Sequence, residues 1–263
     1  MKLHSYYKDH WVNIETERLD RYEVMFKWSP AFERLLEPAN IQAGQIIGDL
    51  GCGPGHLTVE LLRRTGKGGH VHAFDINIDF LKSTELKAKA LGLADRLTIH
   101  HLKSDLLPID DDALDCIVAK NVLVYVDNPA ATLQEFLRTL KCGGKAHIID
   151  SDFSMVAIDP IPTGDWRALL DAASHAFRTP NIGRKLYGLA LSAGFSKVDI
   201  QVITTPDTKG RLLNFAQNIG EYARQAGTIE ESTIQQILDT ATNAIENGTY
   251  FGVNPQFVVT ATR

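Results

Sequence analysis

A strand-like apolar run passes directly into a glycine turn in Ile46-Ile47-Gly48-Asp49-Leu50-Gly51-Cys52-Gly53-Pro54-Gly55, and the helical pattern Leu57-Thr58-Val59-Glu60-Leu61-Leu62 follows at once. Gly51 and Gly53 lack the Cβ atoms that would keep a ligand away from the backbone, and the first amides of the helix can donate hydrogen bonds to it. Glycines alone are weak evidence, because many turns need positive φ. The next apolar run, Val71-His72-Ala73-Phe74-Asp75, ends in an acid 24 positions after Gly51, where nucleotide folds place a carboxylate for ribose hydroxyls. Asp105, in Lys103-Ser104-Asp105-Leu106, follows a third such run and is placed either to accept from an adenine amino group or simply to cap its loop.

The same alternation continues. Strands are predicted at 45–50, 70–75, 97–101, 113–119, 145–150, 197–205 and 251–262, with helices at about 55–65, 78–91, 129–140, 165–177, 183–193, 211–226 and 230–246. That order is the pattern of βαβ units around a parallel sheet, an α/β fold. With 263 residues, 44% of them hydrophobic, one domain with a large core is expected over 1–263. It divides into a helical amino-terminal lid at 1–40, a cofactor-binding core at 41–206 with a pocket cover at about 151–181, and carboxyl-terminal helices with a final strand at 207–263. In the lid, Ser29-Pro30 reads as an N-cap with proline at the first helical position. Its aromatics, Tyr6, Tyr7, Trp11, Tyr22, Phe26 and Trp28, either pack the segment onto the domain or close over a ligand.

The net charge of −5, with no basic stripe, argues against nucleic acid as a partner. The chain begins with mixed charges and aromatics in place of an apolar signal region, and no run approaches 18 apolar residues, so a cytoplasmic protein without a membrane span is expected. Cys52, Cys116 and Cys142 form no CxxC pair and read as reduced thiols. His70 and His72, His100 and His101, and Asp110-Asp111-Asp112 do not complete a recognisable metal set, so no metal is expected.

The ligand class follows from two positions. A dinucleotide loop of the form G-x-G-x-x-G or A ends in a small residue for close helix packing, whereas this chain has His56 there, and Asp49 would stand unfavourably beside a pyrophosphate. S-adenosylmethionine carries an amino group and a sulfonium charge and no phosphate. With these residues in place, the chain resembles class I S-adenosylmethionine-dependent methyltransferases, especially the branch of ubiquinone and menaquinone biosynthesis enzymes and natural-product methyltransferases. Asp49 to Gly55 resembles the family's first motif, Asp75 its ribose-binding acid, Asp105 its adenine-side residue, and Leu137 to Gly144 the turn before its fifth strand, with Cys142 where proline is usual. The resemblance implies a Rossmann-like, mostly parallel seven-stranded sheet with helices on both faces and an antiparallel last strand inserted between the fifth and sixth. It also implies cofactor contacts from Asp49, Gly51, Gly53, Gly55, Asp75, Ile76, Ser104, Asp105, Leu106 and Asn121. Tyr7 and Trp11 join these if the lid closes.

Methyl transfer is an in-line displacement that needs positioning and dryness more than a covalent residue. A hydroxyl or ammonium substrate must still lose a proton, and His10 and Asp152 are the candidate bases. Tyr125, Asp150, His175 and Arg178 are the candidate substrate contacts, and Arg178 and Arg184 could pair with a carboxylate. No Asn-Pro-Pro-aromatic or Asp-Pro-Pro-aromatic run follows strand four, where Asn121-Val122-Leu123-Val124 stands instead, which counts against nucleobase amino groups. The expected function is methylation of an O, N or C atom of a small molecule. The alternatives are an S-adenosylmethionine-binding regulatory protein without activity and a nicotinamide-dependent oxidoreductase. Oligomeric state is left open by the sequence.

Overall fold

The computed structural model describes residues 5–12, 14 and 16–263, so residues 1–4, 13 and 15 of the expected lid lie outside the described residues. Helices α1 (Tyr6–Val12), α2 (Thr16–Met25) and the single turn α3 (Glu33–Leu36) precede the sheet. β1 (Ile46–Leu50), α4 (His56–Thr65), β2 (His70–Asp75), α5 (Ile78–Ala90), β3 (Leu97–His101), β4 (Leu114–Lys120), α6 (Pro129–Thr139) and β5 (Leu140–Ser151) alternate as expected. There follow β6 (Ala157–Asp159), α7 (Thr163–Ala172), α8 (Ile182–Ala193), β7 (Lys197–Ile203), α9 (Leu213–Ala226), α10 (Glu231–Glu246), β8 (Phe251–Val253) and β9 (Gln256–Thr262).

The main sheet runs β3-β2-β1-β4-β5-β9-β7. Pairs from β3 through β5 are parallel, and β9 lies antiparallel between β5 and β7. This is the seven-stranded arrangement implied by the resemblance. Strand pleat sends Ile47, Cys116 and Val118 to one face, against Leu61 and Leu62 of α4 and Ala88 of α5. It sends Ile117, Ala119, Ala146 and Ile148 to the other, against Leu133 and Phe136 of α6 and Leu186 of α8. Both faces are covered, which is why the central strands are apolar at nearly every position. Asn77 opens α5 by accepting from the amides of Asp79 and Phe80, and Asn128, followed by Pro129, opens α6 by accepting from Ala131.

Three departures from the sequence reading have local causes. The strand predicted at 251–262 breaks at Asn254-Pro255, since proline offers no amide to continue a ladder. Its first part, β8, pairs instead with β6, which lies in the expected pocket cover, as a separate two-stranded sheet. The helix predicted at 165–177 is α7 followed by a 3-10 turn, Ala173–Ala176. Ser29 precedes a 3-10 turn beginning at Pro30, but its side chain makes no capping hydrogen bond. The segment before β1 is held to the sheet by His147 on β5, buried completely, whose Nε2 donates to the Leu35 carbonyl at 2.8 Å while Nδ1 lies 2.9 Å from Thr260 Oγ1. Among the described residues no helix is long and apolar enough to cross a membrane.

Candidate active site

Strand order reverses between β1 and β4, and the crevice at their carboxyl ends is where open α/β sheets bind ligands. The glycine turn after β1 forms its floor. Gly51, Gly53 and Gly55 have φ of 67°, 53° and 87°, a region that side chains with a Cβ avoid. Their surroundings differ. A Cβ on Gly51 would overlap Val122, and one on Gly55 would lie 2.7 Å from Thr84 Cα, so both positions are closed by the protein itself. At Gly53 the nearest atom is Phe26 Cδ2 at 3.9 Å, and the open side is the cavity. Of the two glycines read from sequence as clearing a path for a ligand, only Gly53 leaves open space.

Asp49 and Asp75 line this cavity from the carboxyl ends of β1 and β2 and are almost fully buried. Burial pushes the Asp49 carboxyl up to about 7; the Thr58 hydroxyl donating to it at 2.6 Å acts the other way, and the nearby Asp75 charge adds to the rise. Burial raises Asp75 to about 6, against the pull of hydrogen bonds from the amides of Asn77 and Gly53, each at 2.8 Å, and of Ile76. Asp75 therefore also sets the shape of the glycine turn. Ile76, Ser104, Asp105, Asn121 and Trp11 line the same cavity. Leu106 does not, being 69% exposed; Leu107 takes its place, with its amide donating to Glu135 Oε1 at 2.8 Å.

A second cavity, of about 560 Å³, adjoins the first. Trp11, Phe26, Phe32, Lys120, Asn121 and Tyr125 belong to the walls of both. Beyond them the second cavity is aromatic, with Tyr22, Phe153, Phe177, Phe215 and Tyr222, and carries polar groups from Asn214, Asn218, Asn254 and Gln256. Lys8 and Phe32 are wall residues that the sequence reading did not name. The aromatic clustering near residues 22–28 was the signal for Phe26, while Lys8 is revealed only by tertiary structure.

The remaining candidates stand outside both walls. His10 is buried in a ring cluster with Tyr6, Trp11, Tyr125 and Tyr222, its Nδ1 against the Tyr6 carbonyl, and burial lowers its pKa to about 4. His175 lies beside Tyr6, ring centroids 5.1 Å apart. Asp152 accepts from Ser154 and pairs with Arg184, which fixes the turn after β5. Asp150 accepts from the amides of Val124 and Ser151 at 3.2 and 2.9 Å and, by burial, rises to about 7. Tyr7 donates to Asp127, and Arg178 lies over the Tyr7 ring at 5.6 Å on the outer surface. His72 Nδ1 and His100 Nε2, 3.0 Å apart, hydrogen-bond to each other.

Comparison with known proteins matches residues 41–180 to a family described as "Methyltransferase domain". The ubiquinone/menaquinone biosynthesis C-methyltransferase UbiE of Proteus mirabilis is 28% identical over 186 residues, covering 64% of this chain and 73% of that protein. An uncharacterized 37.1 kDa protein in transposon TN4556 of Streptomyces fradiae is 28% identical over 237 residues, and the match spans 86% of this chain and 65% of that protein's length. In fold, the chain is similar to phosphoethanolamine N-methyltransferase 2 of Haemonchus contortus, solved with S-adenosyl-L-methionine, with a TM-score of 0.63 at 14% identity, over 100% of this chain and 60% of the other.

Proposed function

The chain belongs to the methyltransferase-domain family, in its class I S-adenosylmethionine-dependent branch, and from that membership we propose that it transfers the cofactor's methyl group to an O, N or C nucleophile of a small molecule held in the second cavity. The observation that carries this reading is the shared wall. One cavity has buried carboxylates and a bare glycine, the other has aromatic sides, and they meet at the end of β4.

The residues fit the cofactor. Gly53 leaves room at the turn, the Asp75 carboxylate suits ribose hydroxyls, Asp49 suits an ammonium, and Ser104 and Asp105 on the same cavity wall suit an adenine amino group. S-adenosylmethionine supplies a methyl carbon on a cationic sulfur, so the protein needs no nucleophile of its own. What this chain adds is placement and exclusion of water. Trp11, Phe26 and Tyr125 line the shared wall, where an aromatic ring close to a cation contributes about 0.5–2 kcal/mol, and they help exclude water from the junction. His10 and Asp152 have no part in this scheme, because neither lines a cavity: His10 is packed among aromatic rings, and Asp152 is held by Ser154 and Arg184. Calorimetry tests the reading directly: S-adenosylmethionine and S-adenosylhomocysteine should bind and NAD should not, and tight binding of NAD alone would overturn it.

Asp75→Ala is expected to weaken S-adenosylhomocysteine binding by about 10- to 150-fold, the range for hydrogen bonds to a charged group. A folded variant with wild-type affinity would remove Asp75 from the site. Affinity should also depend on pH. Because Asp49 and Asp75 are raised, the ligand-free protein holds protons on them below about 7 and about 6, whereas an ammonium at Asp49 and hydroxyls at Asp75 favour the ionised forms. Binding therefore expels protons, and the dissociation constant should rise as pH falls, by about tenfold or more between about pH 8 and about pH 5.5. In Asp49→Asn the upper part of that dependence should vanish. A flat wild-type profile would separate both carboxylates from the ligand.

A further inference from the structure

Lys120 ends β4 and contributes to both cavities, yet among the described residues its ammonium makes no hydrogen bond and no ion pair. Its one close partner is the Phe32 ring, 5.1 Å from Nζ to the centroid. Phe32 packs in a small apolar group with Leu35, Ile149, Val258 and Ile203, of which Leu35 and Ile203 line the second cavity and not the first. On the same shared wall stands Trp11, whose indole N–H is buried without an acceptor. An ammonium and an indole are donors only, so the junction presents two donors and no group among the described residues that accepts from them. Leaving a buried indole N–H unmatched is costly, and an ammonium on a cavity wall attracts an anion, so an acidic group on a bound molecule would suit both.

We propose that Lys120 and Trp11 form an oxyanion site for the substrate, and that the substrate is a largely apolar, ring-bearing molecule with one acidic oxygen group directed at the junction. This rests on the two-cavity reading above. The aromatic walls select the body of the molecule, and the buried, unpartnered carboxamide oxygen of Asn254 in the same cavity suits a hydrogen-bond donor on it. Burial lowers the Lys120 pKa, with the Asp150 charge opposing, and a bound anion would draw it back up. The cofactor's own carboxylate is the other source of such chemistry, but Leu35 and Ile203, which pack with Phe32, line the second cavity alone, which favours the substrate.

The test uses 2-naphthoate and the neutral 2-naphthalenemethanol as probes, titrated by tryptophan fluorescence with and without saturating S-adenosylhomocysteine. The wild-type protein should bind the naphthoate at least about tenfold more tightly than the alcohol. In Lys120→Met that preference should disappear with alcohol affinity unchanged, Lys120→Arg should restore part of it, and affinity for S-adenosylhomocysteine should stay within about threefold. No naphthoate preference in the wild-type protein, including no binding at all, overturns the proposal. So does an equal loss of both probes in Lys120→Met, which would make Lys120 a packing residue. A loss confined to S-adenosylhomocysteine would assign the ammonium to the cofactor and overturn it equally. If the wild-type protein fails to bind S-adenosylhomocysteine while the naphthoate preference holds, the methyl-transfer reading falls and the oxyanion site stands.

Discussion

Gly53→Val should reduce affinity for S-adenosylhomocysteine at least about 100-fold while the far-ultraviolet circular dichroism spectrum stays native. A Cβ at position 53 would have Phe26 Cδ2, at 3.9 Å, as its nearest non-neighbouring atom, and Gly53 lines the cavity, so a branched side chain would compete with the ligand for that space. The left-handed φ of 53° costs a β-branched residue about 1–2 kcal/mol, enough to lower the melting temperature by a few degrees without unfolding the domain. Gly55→Ala is the contrasting variant. Its Cβ would lie 2.7 Å from Thr84 Cα, a backbone atom that cannot swing aside, so this change should damage stability first and binding only in consequence. Normal cofactor binding by Gly53→Val would make the turn purely structural and remove the main support for a ligand at this crevice.

Deleting residues 1–20 should lower methyl transfer at least about 100-fold and lower the melting temperature of the ligand-free protein by roughly 5–10 °C. Trp11 is part of both cavity walls, and the Lys8 ammonium reaches Asp105 and Asp127 at 3.3 and 3.2 Å. Asn77 Nδ2 donates to the Trp11 carbonyl at 2.9 Å, so the segment is tied to the same turn that carries Asp75. The stability loss arises because Tyr6, 3% exposed, belongs to the main core and is not a detachable cover. Burying a large apolar side chain contributes about 1.5–3 kcal/mol, and its removal also uncovers Tyr222 beside it. Bound S-adenosylhomocysteine should slow proteolysis of this segment in the full chain. Full activity after truncation, with an unchanged melting temperature, would show that α1 neither walls the cavities nor supports the core.

What could be read from sequence was whatever is encoded by near neighbours along the chain. The β1 strand, its glycine turn, α4 and the acid ending β2 are contiguous and periodic, and they were legible without a structure. The insertion of β9 between β5 and β7 was reached only through resemblance, because nothing in Gln256–Thr262 itself names its partners. β6 and β8 are three residues each, too short to show a period, although Asn254-Pro255 was a visible break in the longer run. The exchange of Leu106 for Leu107 at the wall lies in a loop, where no alternation tells in from out. His10 and Asp152 were chosen for their chemistry, and only packing could show that aromatic rings surround the first and Arg184 and Ser154 hold the second.

The wall common to the two cavities has a thermodynamic consequence. Trp11, Phe26 and Phe32 all come from the segment before β1, and each touches both spaces, so a ligand that orders these rings on one side alters the free energy of filling the other. Such coupling is reciprocal: if the methyl donor tightens the acceptor by some factor, the acceptor tightens the donor by the same factor. Sequence drift that reshapes one compartment through these three rings therefore cannot leave the other untouched. Divergence in acceptor preference is freest at Asn214, Asn218, Phe215 and Gln256, which face the second compartment alone.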